Sequence, residues 1–156
     1  MASLILAACG GFLLAVLWMD LMFDVQVLRY REGANLPEPV LASIAAYYHR
    51  VTTSARPMGH LVGAVMAIAL VTLAVELAAG GRASWIPLAS LVVVGPIALA
   101  ALRVVPNAVR LAARSDSAEQ QSALARAICR DHLVCLAGVL VFEALQLFAA
   151  PCPWPR

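Results

Sequence analysis

Apolar positions in this chain run in long unbroken stretches instead of alternating with polar ones. Four stretches stand out, at about 3–28, 58–79, 85–105 and 132–150. Each is close to the ~20 residues that a helix needs to cross a bilayer. The second starts at Pro57, a favoured first-turn residue, and stops at Gly80-Gly81. The third follows Ser84, has Pro87 in its first turn, and carries Gly95-Pro96 mid-span, where a kink frees a backbone carbonyl. The fourth reads as the end of a longer helix, because Asp116-x-x-Glu119 forms a capping-box pattern and no breaker follows until Pro151.

Between the first two stretches, Asn35-Leu36-Pro37-Glu38 has the form of a helix start. Val40, Ile44, Tyr47, Tyr48 and Val51 then make an apolar-aromatic stripe, which predicts a short helix at the membrane surface. The fold expected is all-α: one antiparallel four-helix membrane domain over residues 1–156, with this interfacial helix between spans one and two.

Composition agrees. The chain is 63% hydrophobic and 13% charged, against ~45–50% and ~25% for soluble domains. All 11 basic residues are arginine, and the net charge is +2. Nothing points to a nucleic-acid partner; the lipid bilayer is the partner expected. Arg29, Arg31, Arg50, Arg56, Arg103, Arg110, Arg114, Arg126 and Arg130 collect on the two long loops and their flanks, leaving Arg82 and Arg156 on the other side. The positive-inside rule then places both termini outside and both long loops in the cytoplasm. No basic segment precedes the first apolar run, so a cleaved signal peptide is not expected. A bacterial inner membrane is the location expected.

Against this background Asp20 and Asp24 are anomalous. They sit in Leu17-Trp18-Met19-Asp20-Leu21-Met22-Phe23-Asp24-Val25, one turn apart on one helix face. A charge at membrane depth costs at least ~2.5–3.5 kcal/mol, so it needs a partner and often has a function. Orientation places other polar groups at the same end: His60 on helix two, Arg103 and Asn107 on helix three, Asp131 and His132 on helix four. His132, Cys135, Glu143 and Gln146 form a stripe on helix four that should face the bundle interior. Gly59, Gly63 and Ala67 form a ridge of small residues, suited to close helix packing.

Two carboxylates with two histidines suit non-haem iron or copper, so Asp20, Asp24, His60 and His132 are the candidate metal ligands. His60 and His132 alone would suit axial haem ligation. The competing reading pairs an aspartate with Arg103 or Arg29 and requires no chemistry. A proton or ion relay through Asp20, Asp24, His132 and Glu143 is a third reading, requiring an oligomer of so small a chain. Cys9 and Cys152 would both lie near the outer face, where a disulfide is chemically permitted. Cys129 and Cys135, six apart on one helix, cannot bond each other.

Val104-Val105-Pro106-Asn107-Ala108-Val109-Arg110-Leu111 resembles the element that ends the third helix in anthrone-oxygenase-like small membrane proteins. That resemblance implies a four-helix bundle that oxygenates an aromatic or polyketide-like substrate. The leading expectation is therefore a membrane oxidoreductase, with an oxygenase as one form. Asp20, Asp24 and His132 would be its catalytic groups, Arg103 would neutralise a carboxylate or hold an anionic substrate, and Trp18 and the methionines would line an apolar substrate pocket. The principal alternative is a non-catalytic structural or assembly subunit of a membrane complex, and the second an oligomeric proton- or ion-coupled transporter.

Overall fold

Helices account for every regular element among the described residues of the computed structural model, which are 2–79 and 90–149. Helix α1 is Ala2–Asp24, continued by a 3-10 segment Val25–Arg29; α2 is Glu38–His49, continued by a π-turn Arg50–Ser54; α3 is Arg56–Ala78. The next span is built from a 3-10 turn Ser90–Val93, α4 (Val94–Leu99), a π-turn Ala100–Val104 and α5 (Val105–Ala113). Helix α6 is Ala118–Ala149. Three helical stretches, Ala2–Arg29, Pro57–Ala78 and Ser90–Ala113, are long and apolar enough to cross a membrane. The protein is an all-α membrane protein, as its hydropathy predicts.

Helix α6 is the spine. At 32 residues it is about 48 Å long, and it packs along α1 and against the Ser90–Ala113 span. Three apolar clusters stack along it. Leu6, Cys9, Ala69, Leu73, Val93 and Phe142 fill one end, and Leu13, Leu17, Cys135 and Val139 the middle. At the other end Leu41, Ile44, Ala45 and Tyr48 of α2 meet Val104, Ala108, Leu111 and Ile128. The interfacial helix is thus docked on α5 and the start of α6, its buried edge set by spacings of three and four.

The third span runs past the expected limit near residue 105. Pro106 does not end it, because the π-turn wraps an extra residue and the Val105 N–H bonds the Ala100 carbonyl, leaving Pro106 in the first turn of α5. The start of this span near residue 85, Cys152 with its proposed bridge to Cys9, and Pro151 all lie outside the described residues. Within them, Cys9 is a buried free thiol.

Two close approaches matter. A Cβ on Gly138 would sit 2.5 Å from Cγ of Pro96, and one on Gly10 would collide with the Glu143 carboxylate. Glycine at these positions lets α6 meet α4 and α1. The Gly59–Gly63 ridge does not act this way, since a Cβ there meets nothing within 4 Å among the described residues.

The cap of α6 falls one residue later than the Asp116-x-x-Glu119 pattern suggests. The Gln120 N–H donates to Ser117 Oγ (3.3 Å), and the Ser117 N–H to Gln120 Oε1 (3.2 Å). Asp116 instead accepts from Arg110 at 2.8 and 3.0 Å. Ser117→Ala should lower stability by about 1 kcal/mol, read as the midpoint of thermal unfolding in detergent, whereas Asp116→Ala, which removes an exposed pair, should cost less.

Candidate functional site

The anomalous aspartates meet at the junction of α1, α2 and α6. Asp24 is wholly buried. Its Oδ2 lies 2.6 Å from His132 Nδ1, and the Tyr48 hydroxyl donates to Oδ1 at 2.7 Å and Oδ2 at 2.9 Å. A carboxylate only accepts, so the Nδ1–H of the imidazole is the donor. One turn earlier, Asp20 Oδ1 accepts from the Tyr47 hydroxyl at 2.5 Å, and its Oδ2 lies 3.7 Å from His132 Nε2. The imidazole therefore stands between two carboxylates, and each carboxylate also holds a tyrosine of α2.

Tyr47 and Tyr48 are adjacent, yet both reach α1. Tyr47 stacks on Phe23 (ring centroids 4.1 Å apart, 12° between planes), and Tyr48 lies edge-on to Tyr47 at 5.2 Å. Burial pushes both phenols above their ordinary pKa, with the Asp20 and Asp24 charges adding to the rise, so both remain donors. The arrangement satisfies charges that would otherwise be prohibitively costly at this depth.

Of the residues expected here, Asp20, Asp24 and His132 are brought together and Arg103 and His60 are not. Arg103 Nε lies 3.4 Å from Asp131 Oδ2, so its partner is the next carboxylate round α6. His60 is exposed on the second turn of α3. The expected four-ligand set does not assemble, and among the described residues no group of three or more His, Cys, Asp and Glu side chains is placed to hold a metal ion. Trp18, Met19 and Met22 point outward, 68%, 53% and 62% exposed, so they line no substrate pocket. Tyr47 and Tyr48 are the members that sequence reading missed. Their usable signal was a hydroxyl needing a partner on an otherwise apolar stripe.

The helix-four stripe does face inward. Cys135 and Gln146 are buried, the Cys135 thiol donating to the Pro96 carbonyl at 3.5 Å and Gln146 Nε2 to Ser90 Oγ at 2.6 Å. Glu143 is half-buried beside Gly10, with Oε2 unpartnered among the described residues.

This is the geometry of a clamp. Each strong polar group at the junction is occupied by another, and the two tyrosines tie a non-spanning helix to two apolar ones. A comparison with protein families decides what kind of protein carries it: the SHR3 chaperone family, described as ER membrane protein SH3, matches residues 1–151. The chain belongs to this family. No curated protein and no solved structure matches it.

Membership in the SHR3 chaperone family corrects several expectations. The family is one of chaperones, so the oxidoreductase and metal-binding readings are overturned. The resemblance to anthrone-oxygenase-like proteins is overturned too. Its string instead straddles the π-turn and α5, and its arginine, Arg110, is exposed and paired with Asp116. The location is corrected from a bacterial inner membrane to a family of the ER membrane.

Proposed function

We propose that this protein is a membrane chaperone that assists the folding or assembly of other membrane proteins in the ER. The family match over residues 1–151 carries the reading. The geometry supports it in two ways. Asp20, Asp24 and His132 are satisfied by one another and by Tyr47 and Tyr48 and serve the fold, and the other described residues leave α3 largely uncovered. Only 11% of the α3 span is buried inside the protein, against 28% for each of the other two. Its Gly59, Gly63 and Ala67 ridge, flanked by Leu61, Ile68 and Val71, faces away from the chain's own described helices. Small residues allow helix backbones to approach closely in lipid, so a client's transmembrane helix is the partner that suits this face.

In this reading α6 supplies a fourth crossing, and the arginine-rich loops face the cytosol, leaving both termini in the ER lumen. Depleting the protein should raise the aggregated fraction of newly made multi-span proteins in ER membranes, and wild-type protein should restore them. Unchanged solubility of every multi-span protein after depletion would rule the reading out. Acceptor sites for N-glycosylation placed at the two termini should be modified, and sites placed in the 30–37 loop should not.

A further inference from the structure

At the arginine-rich end, a groove of about 480 Å³ opens between the end of α1 and α6. Its walls are Leu28 and Leu133, and Tyr30, Glu32, Arg126 and Arg130 surround its polar part. Leu28 is 63% exposed and Leu133 40%, so the apolar wall is open to the surroundings.

The two arginines differ in kind. Arg126 is built into the fold: its terminal nitrogens donate to the carbonyls of Val27, Tyr30, Arg31 and Ala34 at 3.4, 3.3, 2.9 and 3.1 Å. These bonds tie the turn and loop that follow α1 to α6. They also fix the guanidinium in place, with its Nε–H buried and lacking an acceptor among the described residues. Arg130, one turn later on the same face, has a side chain 69% exposed and only a loose ion pair, 3.9 Å to Asp131. Two cations, one preset and one free to adapt, thus border an apolar wall at the end of a membrane-spanning helix.

We propose that this groove binds the headgroup of an anionic phospholipid. The phosphate would take its hydrogen bonds from Arg130, whose guanidinium is exposed, with the fixed positive charge of Arg126 beside it, and an acyl chain would run along Leu28 and Leu133. A guanidinium matches phosphate through paired donors, and basic pockets at the cytoplasmic ends of membrane helices, which the orientation proposed above makes this one, suit such headgroups. Glu32 at the rim accepts from a headgroup hydroxyl or ammonium and disfavours a bare inorganic anion. The site depends on none of the chaperone chemistry.

The test uses the full chain in mild detergent, equilibrated with equal amounts of phosphatidylinositol and phosphatidylcholine and examined by native mass spectrometry. Phosphatidylinositol should be retained at least fivefold over phosphatidylcholine. Arg130→Gln should remove about fivefold of that retention, and Arg110→Gln, an equal charge change outside the groove, should leave it intact. Millimolar inorganic phosphate should not displace the lipid. Equal retention of the two lipids, equal losses in the two variants, or full displacement by phosphate would each overturn the proposal, the last by making the groove a free-anion site.

Discussion

Asp24→Ala should destabilise the protein by about 3–5 kcal/mol, the loss expected when one member of a buried charged group is removed. Asp24 takes hydrogen bonds from His132 and from the Tyr48 hydroxyl. Its removal strands an imidazole nitrogen and a phenol, both 4% exposed or less, and breaks one of the two links between α1 and α2, leaving Tyr47 on Asp20. Thermal unfolding in detergent, followed by circular dichroism, measures the loss. The decisive companion is the variant carrying Asp24→Leu, His132→Leu and Tyr48→Phe together. Replacing a buried ion pair and its hydrogen-bonded partner together with apolar side chains of similar size is often neutral or better, and Asp20 keeps its bond from Tyr47. The triple variant should therefore recover most of the stability, and chaperone activity with it. Recovery of stability without activity would show that the cluster does more than clamp.

Gly138→Ala should destabilise by about 1–3 kcal/mol, the usual range for overpacking. The added carbon would meet the Pro96 ring, and a proline ring in a helix cannot swing aside as a flexible side-chain end does. Relief requires α4 to move off α6, which also strains the Cys135–Pro96 contact. The control is Gly63→Ala. It meets nothing within 4 Å among the described residues and exchanges glycine for the best helix former, so its stability should be unchanged or slightly higher. Equal losses in the two variants would contradict the packing described for α4 and α6.

Position along each helix was legible in the sequence, and angle around each helix largely was not. Apolar runs and breakers place Asp20, Asp24, His60, Arg103 and His132 at one end of the bundle, because hydropathy and helical rise convert position into depth. Whether these residues meet depends on how each helix is rotated and which helices are neighbours, which no run of apolar residues encodes. His60 is exposed on α3 and takes no part in the cluster. Arg103 has a nearer carboxylate, Asp131, than either aspartate of α1. The tyrosines were hidden for another reason. Tyr47 and Tyr48 count as aromatic in a hydrophobic stripe, yet each hydroxyl is a donor that a buried carboxylate can use.

The cap of α6 shows a smaller ambiguity. Asp116 and Ser117 are both good N-cap residues, and their partners Glu119 and Gln120 are also adjacent. The chain uses the second pair because Asp116 is held by Arg110. Function was the least legible layer. Paired carboxylates and a histidine suggest chemistry, but the same groups close a structural clamp when each is satisfied by another. Nothing in their spacing separates those uses, and it is the match of residues 1–151 to a chaperone family that turns the reading away from catalysis.

The exposed ridge of α3 offers the most direct measurement. A photo-crosslinking residue at Gly63, introduced into the full chain in ER membranes during synthesis of a multi-span protein, reports what touches that face. Crosslinks to the newly made protein, absent when the probe replaces the buried Ala125, are the predicted result. Crosslinks to lipid alone at Gly63, while newly made proteins still depend on the chain for solubility, would show that α3 is not the client-facing surface.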